Sequence, residues 1–191
     1  MPWEYRPPIS LATSEERFAN FRNAVAERTQ HLNRLGWKPL ASDEDTKLEK
    51  QLRSRYPFDW QSQPPAHCRS WDVAAIAASD EEYLSLESEL NLRILDAIRE
   101  CTTQSETVFA IDWQHTWFRF KPHEMQTDGN PYDWAVAILP ELNVNFFTPE
   151  DFRFGVFATP ETNIILIYGK SLLDAVATNP PTFLSVPVLE Y

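Results

Sequence analysis

Apolar positions before residue 105 recur at helical spacing, and those after it fall into short runs rich in β-branched and aromatic residues. Residues 13–35 predict a helix: Thr13 and Glu16 form a capping box, and Phe18, Phe21, Val25, Leu32 and Leu35 line one face. Gly36 supplies its stop. A second helix is predicted from Ser42, with Leu48, Leu52 and Tyr56 on one side and Pro57 ending it. A third starts at Ser79, where Ser79 and Glu82 repeat the capping box, and carries Tyr83, Leu86, Leu90, Ile94 and Ile98 as far as Cys101. Between the last two, residues 57–71 read as a proline-rich, aromatic-rich crossing without either periodicity.

Strands are expected at 107–113, 116–121, 134–139, 143–148, 152–158 and 163–168, then a short helix at 170–177 and an extended tail. In that tail, TFLSVPVLEY suits an edge strand with Pro187 blocking further pairing. Helices first and strands afterwards predict an α+β fold, with N-terminal helices packed on one face of a C-terminal, mainly antiparallel sheet. The organisation expected is a helical region, 1–105, and a β-rich region, 106–191, within one compact domain.

Composition narrows the function classes. The four glycines, at 36, 129, 155 and 169, are too scattered for a glycine-rich phosphate loop. The net charge of −11 is uneven: residues 1–95 carry twelve Lys or Arg against fifteen Asp or Glu, and residues 96–191 carry five against thirteen. Such a balance argues against nucleic acid and against an anionic membrane surface, and it favours a basic protein partner. No signal-peptide pattern opens the chain and no apolar run approaches the roughly 18 residues of a membrane span, so a cytoplasmic location is expected. Cys68 and Cys101, 33 positions apart, suggest two thiols in a reducing compartment, with neither a disulfide framework nor a metal site nor any cofactor.

The segment IDWQHTWFRFKPHEM, 111–125, concentrates the candidate chemistry. Asp112, His115 and His123 are its weak catalytic candidates. On an unbroken strand, alternation places Trp113 and His115 on one face and Asp112 on the other, which argues against a simple Asp–His pair. His115 and His123 could meet only through the turn at Pro122, and their spacing matches no metal signature. Ser171 lacks a nucleophile elbow, and His67 beside Cys68 is adjacency in sequence alone. Asp128, Asp133, Glu141, Glu150, Asp151 and Glu161 fall at strand ends or turns and, with Trp134, are expected to form an acidic rim suited to a partner's Arg and Lys side chains.

Three pieces, DWQHTWFRFKP at 112–122, FRFGVFATPE at 152–161 and IYGKSLL at 167–173, resemble a family of uncharacterised bacterial proteins, a domain of unknown function. The resemblance covers residues 109–173 and implies a Trp-x-His strand, a glycine-then-proline strand, and a strand closing on glycine before a short helix. It brings no reaction. By analogy, a small acidic α+β chain without a catalytic signature is expected to be an immunity-type protein that neutralises a basic secreted toxin or effector by direct contact. The alternative is a His-dependent hydrolase or transferase with its site around His115.

Overall fold

The protein's computed structural model describes residues 14–55, 65–74, 76, 79–140, 143–184 and 187–190. Thr13, Tyr56, Pro57 and the rest of the crossing to residue 64, together with Glu141, lie outside the described residues, as does the side chain of Phe18. The chain divides into two compact units, residues 1–31 and 32–191.

Helix α1, Ser14–Arg34, runs through the described part of the first unit. There Phe21 and Val25, expected on a buried face, are 67% and 49% exposed. A stripe at helical spacing reports amphipathicity but does not name a surface that covers it. In the second unit the same spacing is satisfied: Leu32 is buried and Leu35 packs against the core. Gly36, at φ 90°, turns the chain out of the helix, and the Trp37 amide donates to the Leu32 carbonyl at 3.1 Å.

The second unit is built on an antiparallel sheet with strand order β1-β4-β3-β5-β6-β7-β2-β8. The strands are β1 (Lys38–Pro39), β2 (Cys68–Asp72), β3 (Val108–Asp112), β4 (Phe118–Phe120), β5 (Asn145–Pro149), β6 (Gly155–Thr159), β7 (Ile164–Tyr168) and β8 (Leu189–Glu190). Helices α2 (Ser42–Arg55), α3 (Asp80–Cys101) and α4 (Lys170–Thr178) complete it. The chain is thus α+β, as its patterning predicts. Among the described residues, no helix is long and apolar enough to cross a membrane.

Alternation along the central strands sorts the core into two layers. Val108, Ala110, Phe147, Val156, Ala158, Ile165 and Ile167 face α3 and α4, meeting Leu90, Ile94, Ile98, Leu172 and Val176. Ile111, Phe146, Phe157, Leu166 and Tyr168 form the opposite face, with Leu48 and Leu52 of α2 in the same cluster. Helices therefore cover both faces rather than one, because the odd and even positions of these strands are both apolar and each face must be buried. On the first face Trp37 anchors an aromatic group, with ring centroids 4.4 Å from Phe120 and 5.8 Å from Trp134, and its Nε1–H donates to the Asp133 carbonyl at 2.7 Å.

Two elements differ from the sequence expectation. Residues 68–71, assigned to the crossing, form β2 together with Asp72, paired with β7 and β8. Residues 134–139 form no strand, although Trp134, Val136, Ile138 and Leu139 are buried. Alternating burial there marks a segment laid along the core, whereas a strand also needs a neighbouring edge to pair with.

Near the end of α3, Arg153 joins three segments. Its guanidinium pairs with Glu106 at 2.5 Å and with Asp151 at 2.9 Å, and it donates to the Cys101 carbonyl at 2.8 Å. The hydrogen bond from Arg153 holds the Glu106 carboxyl below its ordinary value, against a smaller opposing effect of burial.

Two outcomes are expected. Trp37→Ala opens a cavity under the aromatic group and costs about 3–5 kcal/mol, read as a shift in the urea midpoint. For Glu106, a carboxyl lowered in the folded state contributes stability that is complete above its unfolded value of about 4.3 and is lost as pH falls through the folded value. Arg153→Met removes that contribution, so the stability gap between wild type and variant in urea titrations narrows as the pH drops below about 4.3.

Candidate functional site

Strand β3 stops at Asp112, and residues 113–117 turn the chain into β4. The Asp112 carboxylate organises that turn: its Oδ1 accepts the Gln114 amide at 3.1 Å, and its carbonyl accepts the His115 amide at 3.2 Å. His115 thereby swings back over the end of its own strand, with Nδ1 2.9 Å from Asp112 Oδ2. Asn143 donates from Nδ2 to the same oxygen at 3.2 Å and lies 3.1 Å from His115 Nδ1. The expected separation of Asp112 and His115 onto two faces is therefore corrected, because it assumed that the strand continued through residue 115.

A hydrogen bond from His115 to the carboxylate uses the N–H of Nδ1, and in that tautomer the other ring nitrogen, Nε2, carries the lone pair. Trp113 and Trp117 flank the turn with centroids 5.5 Å apart, and the Arg53 guanidinium lies 5.2 Å over the Trp113 ring. An imidazole oriented in this way has the donor pattern of a general base. The His115 side chain is 66% exposed, however, so Nε2 faces water rather than an enclosed substrate.

His123 stands apart from this group. It follows β4, whose Phe120 pairs with Val108, whereas His115 precedes β4 at the Asp112 end of β3. The two histidines thus lie at opposite ends of the same strand pair. His123 Nε2 is 2.9 Å from the Thr102 carbonyl and ties the segment after β4 to the end of α3. Among the described residues, no group of three His, Cys, Asp or Glu side chains is placed to hold a metal ion. Burial pushes both the Cys68 and Cys101 thiols up, away from the thiolate form.

Among the described residues, the acidic positions do not gather on one rim. Glu150 and Asp151 are exposed in the β5–β6 turn, beyond Pro149, and Glu161 is exposed in the β6–β7 turn. Strand directions put these turns at opposite ends of the sheet. Asp151 holds Arg153 with both carboxylate oxygens, at 3.0 and 2.9 Å. Trp134 is 2% exposed and packs between Trp37 and Phe147, so its place is in the core and not on a contact surface.

Asp128 and Asp133 belong to one well-fastened loop, residues 127–133, which ends in a short 3-10 turn at Pro131–Asp133. Thr127 Oγ1 donates to Asp133 Oδ2 at 2.7 Å and accepts the Gly129 amide at 2.9 Å. Asp128 Oδ1 accepts the Asn130 amide at 3.1 Å, and Asn130 Oδ1 accepts the Tyr132 amide at 3.0 Å. From α3, the buried Asn91 donates to the Gly129 carbonyl at 3.2 Å. Gly129 sits at φ 90°, and a Cβ there would meet the Ser88 carbonyl and stand 2.7 Å from Leu92 Cγ, so the loop rests directly on the helix. Tyr132 and Leu84, which the sequence reading did not single out, are exposed beside this loop. The available signal was Leu84, an apolar residue off the buried stripe of α3.

A chain similar over most of this length is the uncharacterised protein YxiI of Bacillus subtilis (strain 168), 29% identical over 155 residues that cover 77% of this chain and 96% of that protein. No solved structure is significantly similar. The family match extends the resemblance at 109–173 back to Trp37, the residue that anchors the aromatic core, and takes in α2, β2 and α3. Matched over residues 37–173, the chain belongs to the family described as protein of unknown function, DUF2716.

Proposed function

We propose that the protein is an acidic binding protein of the immunity kind, acting in the cytoplasm by covering a basic toxin or effector domain. The observation that supports this reading is how its positive charges are used. All five basic side chains of residues 96–191 are held by carboxylates: Arg99 by Asp96, Arg119 by Glu44, Lys121 by Glu124, Arg153 by Asp151 and Glu106, and Lys170 by Asp174. The surplus of acid in this half therefore has no further Lys or Arg of its own half to offset it. Exposed pairs of this kind contribute little to stability, about 0–1 kcal/mol each. Their consequence here is electrostatic, since a net negative field speeds encounter with a basic surface and suppresses acidic competitors.

A second reading rests on the 2.9 Å Asp112–His115 contact, which orients an imidazole as a base for hydrolysis or group transfer.

Isothermal titration against a panel of Lys- and Arg-rich secreted effector domains tests the first reading. Binding is expected at sub-micromolar Kd, with an association rate that falls as the Debye length shortens from about 30 Å at 0.01 M salt to about 8 Å at 0.15 M. Absence of a complex at low salt would sink it. For the second reading, any hydrolase activity of the purified chain is expected to fall at least about 100-fold in His115→Ala; activity that survives the substitution removes the His115 site.

A further inference from the structure

The geometry points to one contact surface for that partner: the Leu84–Tyr132 platform beside Asp128, which accepts an apolar side chain flanked by Lys or Arg on the partner. The inference rests on the binding-protein reading and gives it a location.

Leu84 and Tyr132 are 51% and 71% exposed, large apolar side chains brought together from α3 and from the 3-10 turn. With Ser88, Asp128, Asn130 and Pro131 they line a shallow depression of about 320 Å³. Leu84, Pro131 and Tyr132 give it an apolar share of its lining, and Asp128 gives it a carboxylate. Asp80 and Glu81, both exposed, lie four and three residues before Leu84, which puts them on the same face of α3 one turn away. Asp128 closes the other side. Among the described residues no Lys or Arg pairs with these three carboxylates, and the N-terminal end of the helix, equivalent to about +0.5 charge, offsets them only in part. None of the residues lining the depression is Lys or Arg.

The occupant follows from this pairing of apolar lining with carboxylates. An acidic partner is repelled and a purely apolar one leaves the carboxylates facing desolvation, whereas a hydrophobic residue between cations satisfies both. Tyrosine is also suited to an anchor, giving wide contact area from few rotatable bonds. The loop beneath it is already fixed: Tyr132 and Asn130 donate their amides to side chains of the same loop, and Asn91 and Gly129 seat that loop on α3. Little ordering is left to be done on binding, so the contact area converts to affinity with a small entropic loss.

The test compares three full-length proteins against the same panel of Lys- and Arg-rich effector domains, by titration calorimetry, with urea unfolding as a check on the fold. Leu84→Ser with Tyr132→Ala is expected to weaken binding at least tenfold, with the urea midpoint within experimental error of wild type. Glu150→Lys with Glu161→Lys, at the two ends of the sheet, is expected to slow association by weakening the negative field, with a smaller rise in Kd than the platform variant causes. Wild-type binding that the platform double variant leaves intact overturns the inference while the binding reading stands. If the Glu150 and Glu161 variant loses binding and the platform variant does not, the contact lies on the sheet ends instead. If wild type binds no such domain, the binding reading itself fails, and the inference with it.

Discussion

The two-sided burial of the central strands is the constraint on which the rest of the second unit depends. Strands β3, β5, β6 and β7 carry apolar side chains at odd and even positions alike. A sheet of this kind cannot leave either face to water, so α3 and α4 must close one side while α2 shields the other. The covering layers in turn set where polar groups can gather. They lie at the ends of the strands, where the ladder stops and backbone groups need other partners. The Asp112 turn and the Arg153 junction both sit at such ends, and both are built from side chains that cap otherwise unsatisfied amides or carbonyls.

What the sequence disclosed follows the same physics. Helix α3 was legible to within a residue because two independent signals agreed, a capping Ser79 that accepts the Glu82 amide at 3.3 Å and a stripe from Leu90 to Ile98 that is fully buried. Strand β2 was not, since Cys68, Arg69, Ser70, Trp71 and Asp72 mix small, charged and aromatic types and owe their extended form to β7 beside them. The segment 134–139 misled in the opposite direction, showing the burial of a strand without a partner edge.

The candidate chemistry was harder to read for a local reason. Gln114, His115 and Thr116 turn the chain without a glycine or proline to announce it, so alternation was carried through a strand that had ended. Asn143, 31 residues beyond Asp112, reaches the Asp112 carboxylate only because β5 pairs with β3. No spacing rule could supply that contact. Likewise the acidic positions look contiguous as a composition, but among the described residues Glu150 and Asp151 are separated from Glu161 by strand direction, and Asp128 and Asp133 belong to the loop at 127–133.

In that loop, the parts that hold and the parts that show are different atoms. Asn91, Thr127, Gly129 and Asn130 fix the backbone, while Tyr132 lends the frame its amide and turns its ring outward. Replacing that ring leaves every one of those bonds in place. The frame of the loop is thus set without the Tyr132 ring, so a change of side chain at position 132 alters the exposed surface while the backbone scaffold stays constant.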